Sequence, residues 1–575
     1  MRLLKSIPAL LFAFFVWTTP LPSQTPPPNT GICNVRDSGA KGDGVTLDTE
    51  PIAKAILACA EAGGGTVLVP PGTYVTGTLE LFSNITLQLE AGATILGSPN
   101  LSDYRKLAAY GMAREYGVNS SGEGLLVGMI VARDAHDVAI VGRGTIDGRG
   151  DDFMDLNTPH IGADFDAKYA RHPAAFDAGV HSLEFGPVRP KDQGDGRPGT
   201  MIMFVNCKNV LVRDVTLRSS PNWTLHLQYT EQATLSGIHI DNDLRIPNND
   251  GIDCIHCRNV HISDSDIQAG DDDLAIFGSD HVNVTNCSLV SRSAAIRLES
   301  THNSTFDNLS IDSNRGIGIF HSANSGDSTE SVLFSNISMR TKLIAGHWWG
   351  KSEPIYIAVS PCVPTECQGG IRDVTFSNIT AEAESGILIY GAENDVVTGL
   401  TLDRIRLKIT APDPAIASSM GGNFDLRWTA RNLQEAIFKH DIPALYCRWV
   451  KDFRVHGLEL HWGENLPDYF SDGVQCEDFR DVTIDHFEGR QARTTGAALS
   501  FSNGAELSVT GSTAAPGTAI FLKLSHVTDP RTFVNYDLSA AKQPIVPPAT
   551  VFPTSNLRTP PGVSKRSESH NVQKQ

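Results

Sequence analysis

The sequence predicts an all-β fold, a single-stranded parallel β-helix closed at its N-terminal end by a short helix. Three observations predict it. The pattern apolar, any, apolar, any, Asp or Asn, apolar recurs along most of the chain. Where two copies follow without interruption, at Val260 and Val282, the step is 22 residues. The paired hairpin signals that an antiparallel sandwich needs are sparse. Period-two alternation marks each copy as a short strand with one buried face. The recurring Asp or Asn suits a turn, because its side chain bonds to nearby backbone groups. Such a unit is too short for a strand–helix–strand crossover, and a propeller blade needs roughly 40 residues. It fits one coil of a solenoid whose strands stack about 4.8 Å apart.

Taken in order, the chain opens with Arg2 and Lys5, an apolar run from Pro8 to Trp17, then Ser23 and the stretch Pro26 to Pro28. The run is shorter than the ~20 residues of a membrane span and has the layout of an export signal over residues 1–25. A secreted or periplasmic protein outside the membrane is expected. Pro51 to Glu61 is the one clear early amphipathic helix, placed to cover the open edge of the first coil. Copies of the pattern begin at Ile85 and Val138. They recur as Val210–Val215, Val260–Ser265, Val282–Cys287, Val332–Ile337, Val374–Ile379 and Leu400–Ile405, then at Phe453 and Val482. Residues 30–535 are expected to form one domain, although a length of 575 would by itself suggest several. Residues 540–575 are rich in Pro, Ser and charge, lack an apolar period and read as a flexible tail.

Lys plus Arg is 47 and Asp plus Glu 65, a formal net charge of −18. That balance weighs against a nucleic-acid partner, which needs a positive surface. It does not weigh against an anionic sugar polymer, since a local cationic site can sit in an acidic protein. A monomer is expected. Ten cysteines in an exported chain permit disulfides. Cys33 with Cys59 and Cys362 with Cys367 are the expected pairs, the second because its loop is so short. Cys254 and Cys257 resemble half of a zinc site whose other half is missing, so no metal is expected there.

The densest acidic feature is Asn248-Asn-Asp-Gly-Ile-Asp253, followed by Gly270-Asp-Asp-Asp-Leu-Ala-Ile276. Asp250 and Asp271 lie about one coil apart, which places them side by side on neighbouring rungs. Turn chemistry accounts for Asp264, Asp266 and Asp307, but poorly for Asp271, Asp272 and Asp273 crowded beside Asp250. Crowding raises at least one carboxyl pKa while neighbours stay ionised. An acid that protonates a leaving oxygen beside carboxylates that activate water is what inverting hydrolysis of a glycosidic bond requires. Calcium is the competing ligand for such an oxygen cluster.

Asn248-Asn249-Asp250 and Gly270-Asp271-Asp272 resemble the N-T-D and G-D-D motifs of glycoside hydrolase family 28, the polygalacturonase and rhamnogalacturonase group, with Asn in place of Thr. Gly142-Arg-Gly-Thr-Ile-Asp-Gly148, Arg197-Pro198 and Ser220-Pro-Asn-Trp-Thr-Leu-His226 support the match, which spans roughly residues 35–410. The resemblance implies a right-handed parallel β-helix and a pectin-like polysaccharide or oligosaccharide substrate, with no cofactor and no resident metal. It also implies Asp271 as the acid, Asp250 and Asp272 positioning water, and inversion at the anomeric carbon.

The departures bear on the substrate. Where the family has G-H-G this chain has Ser293-Ala294-Ala295, and where the family has R-I-K it has Gly318-Ile319-Phe320. Three readings stay open. Arg297 and Arg315 on the next coils, or His321, supply the missing cation; the critical sugar is neutral or differently linked; or the chain binds without catalysing. Gly346 to Pro354 holds His347, Trp348, Trp349, Lys351 and Glu353 and reads as a loop rimming a sugar site, or else as tryptophans packing the loop onto the solenoid. The expected binding set is therefore Asn248, Arg297, Arg315, His347, Trp348, Lys351 and Glu353. His226 beside Trp223 either lines the groove or bonds a backbone carbonyl. Two other functions fit the same fold, a lyase using calcium with an Arg such as Arg297 as base, and a carbohydrate-binding protein without catalysis.

Overall fold

The computed structural model describes residues 31–111, 126–159, 170–181, 188–191, 196–322, 326–346, 348–361, 367–394, 396–429 and 437–546. The strands of its large sheet pair in parallel, each with the strand one coil before and one coil after, and wind as a right-handed β-helix, while two short pairs outside it, Met154–Pro159 with Val188–Pro190 and Asn423–Asp425 with Ile437–Lys439, are antiparallel. Seven strands position the site: β1 (Ile202–Val205), β2 (Leu225–Gln228), β3 (Ile252–Ile255), β4 (Leu274–Phe277), β5 (Asp280–Glu299), β6 (His302–His321) and β7 (Ile355–Val359). Their registers align Ile202, Leu225, Ile252, Leu274, Ile296, Ile317 and Ile355 in one buried column. The 22-residue step is register itself, for Val260 pairs with Val282.

The recurring Asp or Asn has a sharper reason than turn preference. The fifth position of the pattern adopts the left-handed conformation in copy after copy: Asp214 (φ 62°), Asp264 (54°), Asn286 (57°), Asn336 (55°) and Asn378 (56°). Asn and Asp tolerate that region best after Gly. Arg404 takes the same conformation in the Leu400 copy, so the backbone demand outlasts the residue type. The amides also ladder. Asn286 Nδ2 donates to Asp264 Oδ1 at 3.1 Å, Asn308 to Asn286 at 2.8 Å, and Asn378 to Asn336 at 2.7 Å.

Inside, apolar side chains stack on their equivalents. Phe306, Phe334 and Phe376 are register partners, fully buried, with successive ring centroids 4.9 Å apart. The helix α1 (Thr49–Glu61) buries Ile52, Ala55, Ile56 and Cys59 against the first coil, and Cys59 is bonded to Cys33 as expected. Cys367 is also disulfide-bonded, and its expected partner Cys362 lies outside the described residues. A further bridge, Cys447–Cys476, joins residues in direct register on adjacent rungs. Cys254 and Cys257 are buried free thiols. The last strand, Gln543–Val546, pairs with Ile520–Thr528, so the solenoid runs past residue 535. The expected export signal and nearly all of the expected tail lie outside the described residues. No helix among the described residues is long and apolar enough to cross a membrane.

Truncating the middle of the aromatic stack, Phe334→Ala, should cost about 3–5 kcal/mol of stability, as for other buried aromatics. Urea unfolding should show it as a lower midpoint, with Phe334→Leu losing less.

Candidate active site

Two turns, on neighbouring coils, carry the acidic cluster. The first is held by buried amides. Asn249 donates to Asp243 O at 2.8 Å and accepts from Gly270 N at 2.6 Å. Asn242 donates to Asn249 O at 3.0 Å and to Thr224 Oγ1 at 2.8 Å. Arg197, buried, donates to Pro221 O, Pro247 O and Asn248 Oδ1 at 2.8, 2.6 and 3.1 Å. Asn248 is thus turned into the left-handed region, at φ 57°. Gly270 permits the approach of the second turn: a Cβ there would lie 2.5 Å from Ile246 O and 2.8 Å from Asn249 Oδ1.

The result is a triad. Oxygens of Asp250, Asp271 and Asp272 all lie within 4.8 Å of one another. Asp271, half-buried, accepts from Asn248 N at 3.3 Å and Asn248 Nδ2 at 3.4 Å. Burial, then the neighbouring Asp272 charge, pushes its carboxyl up to about 6, against the pull of Arg297. Burial and the charges of Asp271, Asp253 and Asp272 raise Asp250 well above the usual carboxylate range. Asp272 accepts from Ala294 N at 3.2 Å and faces Arg297 at 3.5 Å. Arg297 lies between the Phe277 and Phe320 rings, 5.1 Å from each centroid. The cluster is also a donor set that suits a hard cation.

The expected fourth carboxylate is corrected. Asp273 is wholly buried, and burial, then the Asp272 charge, raises its carboxyl well above the usual range. Asp253 joins the group instead. It sits on β3 beside His226 of β2, and burial, Asp272 and Asp271 raise its carboxyl. Period-two alternation held the signal, since Asp253 lies on the outward face between two inward residues. His226, stacked on Trp223 at 5.3 Å between centroids, is kept neutral by burial, its pKa pushed down to about 3.

The loop expected to rim a sugar site is corrected as well. Arg315 and Glu353 are wholly buried, and Trp348 and Lys351 nearly so. Arg315 bonds Glu353 at 3.3 Å and Asp425 at 3.1 Å, with its guanidinium 3.6 Å from the Tyr356 ring centre. Burial lowers Lys351 to about 8, helped by Arg427. These residues form an interior ionic cluster because Asp425 and Arg427 arrive from a distant loop that sequence spacing does not reveal. His347 lies outside the described residues. Of the expected binding residues, Asn248 and Arg297 stand with the carboxylates and are accessible.

The positions of the two missing motifs are accounted for. Ala294 offers Asp272 only its backbone N–H. The Phe320 ring lies over Gly318, where a Cβ would meet it at 2.8 Å.

The profile of Glycosyl hydrolases family 28 matches residues 188–419, and that of Rhamnogalacturonase A/epimerase, pectate lyase-like, matches residues 32–124. A probable polygalacturonase of Vitis vinifera is 25% identical over 65% of this chain and 74% of its own length. An endo-polygalacturonase of Pectobacterium parmentieri is 23% identical over 69% and 92%. An exo-poly-alpha-D-galacturonosidase of Dickeya chrysanthemi is 28% identical over 42% and 41%. The fold is shared with a family 28 exopolygalacturonase of Yersinia enterocolitica (TM-score 0.52, 17% identity, 79% of each chain). It is shared also with an exopolygalacturonase of Thermotoga maritima (TM-score 0.50, 23% identity, 67% of this chain and 89% of that one).

A carboxyl whose folded pKa exceeds its unfolded value holds its proton better when folded. Its stabilising effect is full below about pH 4 and is lost as pH rises through about 6. Asp271→Asn should therefore gain melting temperature over the wild type as pH rises from 5 to 7. An unchanged difference across that range would contradict the raised pKa.

Proposed function

The chain is a divergent member of glycoside hydrolase family 28, and from that premise we propose that it hydrolyses the O-glycosidic bonds of a galacturonan-type pectic polysaccharide. The observation that carries this reading is the triad, with three carboxylates on adjacent rungs and one of them, Asp271, accessible and pushed up to about 6 by burial and the Asp272 charge. In the proposed reaction Asp271 gives its proton to the leaving oxygen as the bond from that oxygen to the anomeric carbon breaks. Water held by Asp250 and Asp272 attacks the same carbon and passes a proton to one of them. Burial and the neighbouring Asp272 charge keep Asp271 protonated at mildly acidic pH without a metal or cofactor in the scheme.

Arg297 is assigned to the sugar's carboxylate. It is an accessible guanidinium facing the triad, and Ala294, Gly318 and Phe320 offer no cation. An acidic sugar would share Arg297 with Asp272, which weakens binding of a neutral one less than binding of a uronate when Arg297 is removed. Asn248, exposed beside Asp271, is placed to meet a hydroxyl. The site comes from one chain, so a monomer suffices, and the solenoid, expected over residues 30–535 and continued to Val546, would act as one domain. A pectic substrate also fits the export expected from residues 1–25.

One observation favours a second stereochemical reading. Acid and base in inverting glycosidases commonly stand about 6.5–9.5 Å apart, and about 5–5.5 Å in retaining ones. The facing oxygens of the triad lie within 4.8 Å of one another, closer than the spacing usual for inversion and nearer that of retention, which would suit direct attack by a carboxylate. Two carboxylates sharing one water favour inversion, and proton NMR of the first product's anomer separates the two.

Release of reducing ends from homogalacturonan, rhamnogalacturonan and neutral glycans tests the activity itself. Asp271→Asn should cut turnover by about 10²–10⁴-fold with the fold retained. Full activity in that variant would sink the assignment. Wild-type turnover should fall as pH rises through about 6, where the acid loses its proton. Chelator should leave the rate unchanged, whereas unsaturated, ultraviolet-absorbing products lost with chelator would indicate a calcium lyase. Arg297→Ala should raise KM on a galacturonan far more than it lowers kcat; an unchanged KM would remove Arg297 from substrate binding.

A further inference from the structure

The outward face of the strands that carry the site is covered on both sides of it. In register, that face runs Val131, Met203, His226, Asp253, Ala275, Arg297, Gly318, Tyr356. Toward the N-terminal end, Leu107, Tyr110 and Val127 pack onto Val131 and Met203, all buried. Toward the C-terminal end a wall rises at the next rung after Arg297. Trp428 sets its ring edge-on to Phe320 at 5.4 Å and donates to His321 O at 3.2 Å. Tyr356 is sealed beneath, donating to Asp425 O at 2.9 Å.

The wall is fixed from two directions. From below, Asp425 accepts from Arg315 at 3.1 Å, from Gly350 N at 3.0 Å and from Arg427 at 2.9 Å. From outside, Arg171 bonds Asn423 Oδ1 at 2.8 Å, Gly422 O at 3.0 Å and His440 O at 2.8 Å. Helix α2 (Pro173–Val180) packs on helix α3 (Pro414–Met420), with Phe176, Val180 and Met420 sharing a buried cluster with Leu343 and Ala345. Between the two covers lie the four rungs of His226, Asp253, Ala275 and Arg297, a length of roughly 14 Å at about 4.8 Å per step, with the first three side chains buried and Arg297 accessible beside the triad. A few sugar rings fit in that span, and a long chain lying along the solenoid does not.

We propose that this closure makes the protein a chain-end-acting enzyme: the wall of Asn423–Thr429, locked through Asp425 and Arg315, stops a polysaccharide one rung beyond the triad. The inference rests on the hydrolase reading above and adds the mode of attack, which the relatives leave open because both endo- and exo-acting proteins are among them.

The test is a time course on homogalacturonan fractions of graded length and on short oligogalacturonides, read by product size and by viscosity. One small product from the earliest time, slow loss of viscosity and a rate that falls in proportion as chains lengthen at equal mass are expected. A ladder of intermediate oligomers with rapid thinning would overturn the closure while leaving the hydrolase reading intact. No cleavage of polymer or oligomer would overturn the hydrolase reading, and the closure's role with it. Trp428→Ala, which lowers the wall, should add internal cleavage products to the wild-type pattern. Asp425→Asn, checked for folding by circular dichroism, should do the same, and end-only products from both folded variants would show that the wall does not set the mode.

Discussion

A strand of this solenoid has its backbone N–H and C=O groups satisfied only by the rungs on either side. Register is therefore the constraint from which the rest follows. A slip of one residue would turn every side chain to the opposite face. The chain must return to the same column after each coil, and residues in excess of the coil length leave it as loops. The chemistry sits where this rule meets a turn. Asp250 and Asp271 lie close because β3 and β4 are in register, and Asn249 and Gly270 let their turns touch.

The solenoid was legible because its constraint is periodic and local. Alternation marked the strands around Val210, Val260 and Val282, and the Asp or Asn at the fifth position marked a left-handed residue that only its φ values explain fully. Asp250, Asp271 and Asp272 were legible for the same reason, as one coil separates the two turns. What stayed hidden depends on long loops that no period describes. Arg315 and Glu353 read as sugar-binding residues, and only the fold brings Asp425, far along the chain, to Arg315 as a second buried carboxylate beside Glu353. Asp253 was passed over because it sits inside a strand whose other residues look ordinary. The Cys447–Cys476 bridge was missed since its spacing is only that of a coil with a loop in it.

Charge divides into two economies. At the triad, like charges are forced together, and burial raises the carboxyls of Asp250 and Asp271, an arrangement that stores reactivity. Around Asp425 opposite charges meet in the interior: although burial acts to raise it, Arg427 and Arg315 hold its carboxyl well below the ordinary range. Removing one partner of such a group strands the other in a medium that cannot solvate it. The acidic excess of the whole chain thus says little about either place.

The segment that carries the wall leaves the solenoid after the strand Val397–Ile409 and returns before Val450–Trp462, yet those two strands pair directly, with Ile405 opposite Leu458. The stacked core does not register the length of what lies between them. A lineage could trim or lengthen that excursion in one genetic step and exchange attack at chain ends for attack at mid-chain, with the acids and the scaffold unaltered. Breadth of diet in such a fold is then a property of its loops, and inheritance of the chemistry is a property of its rungs.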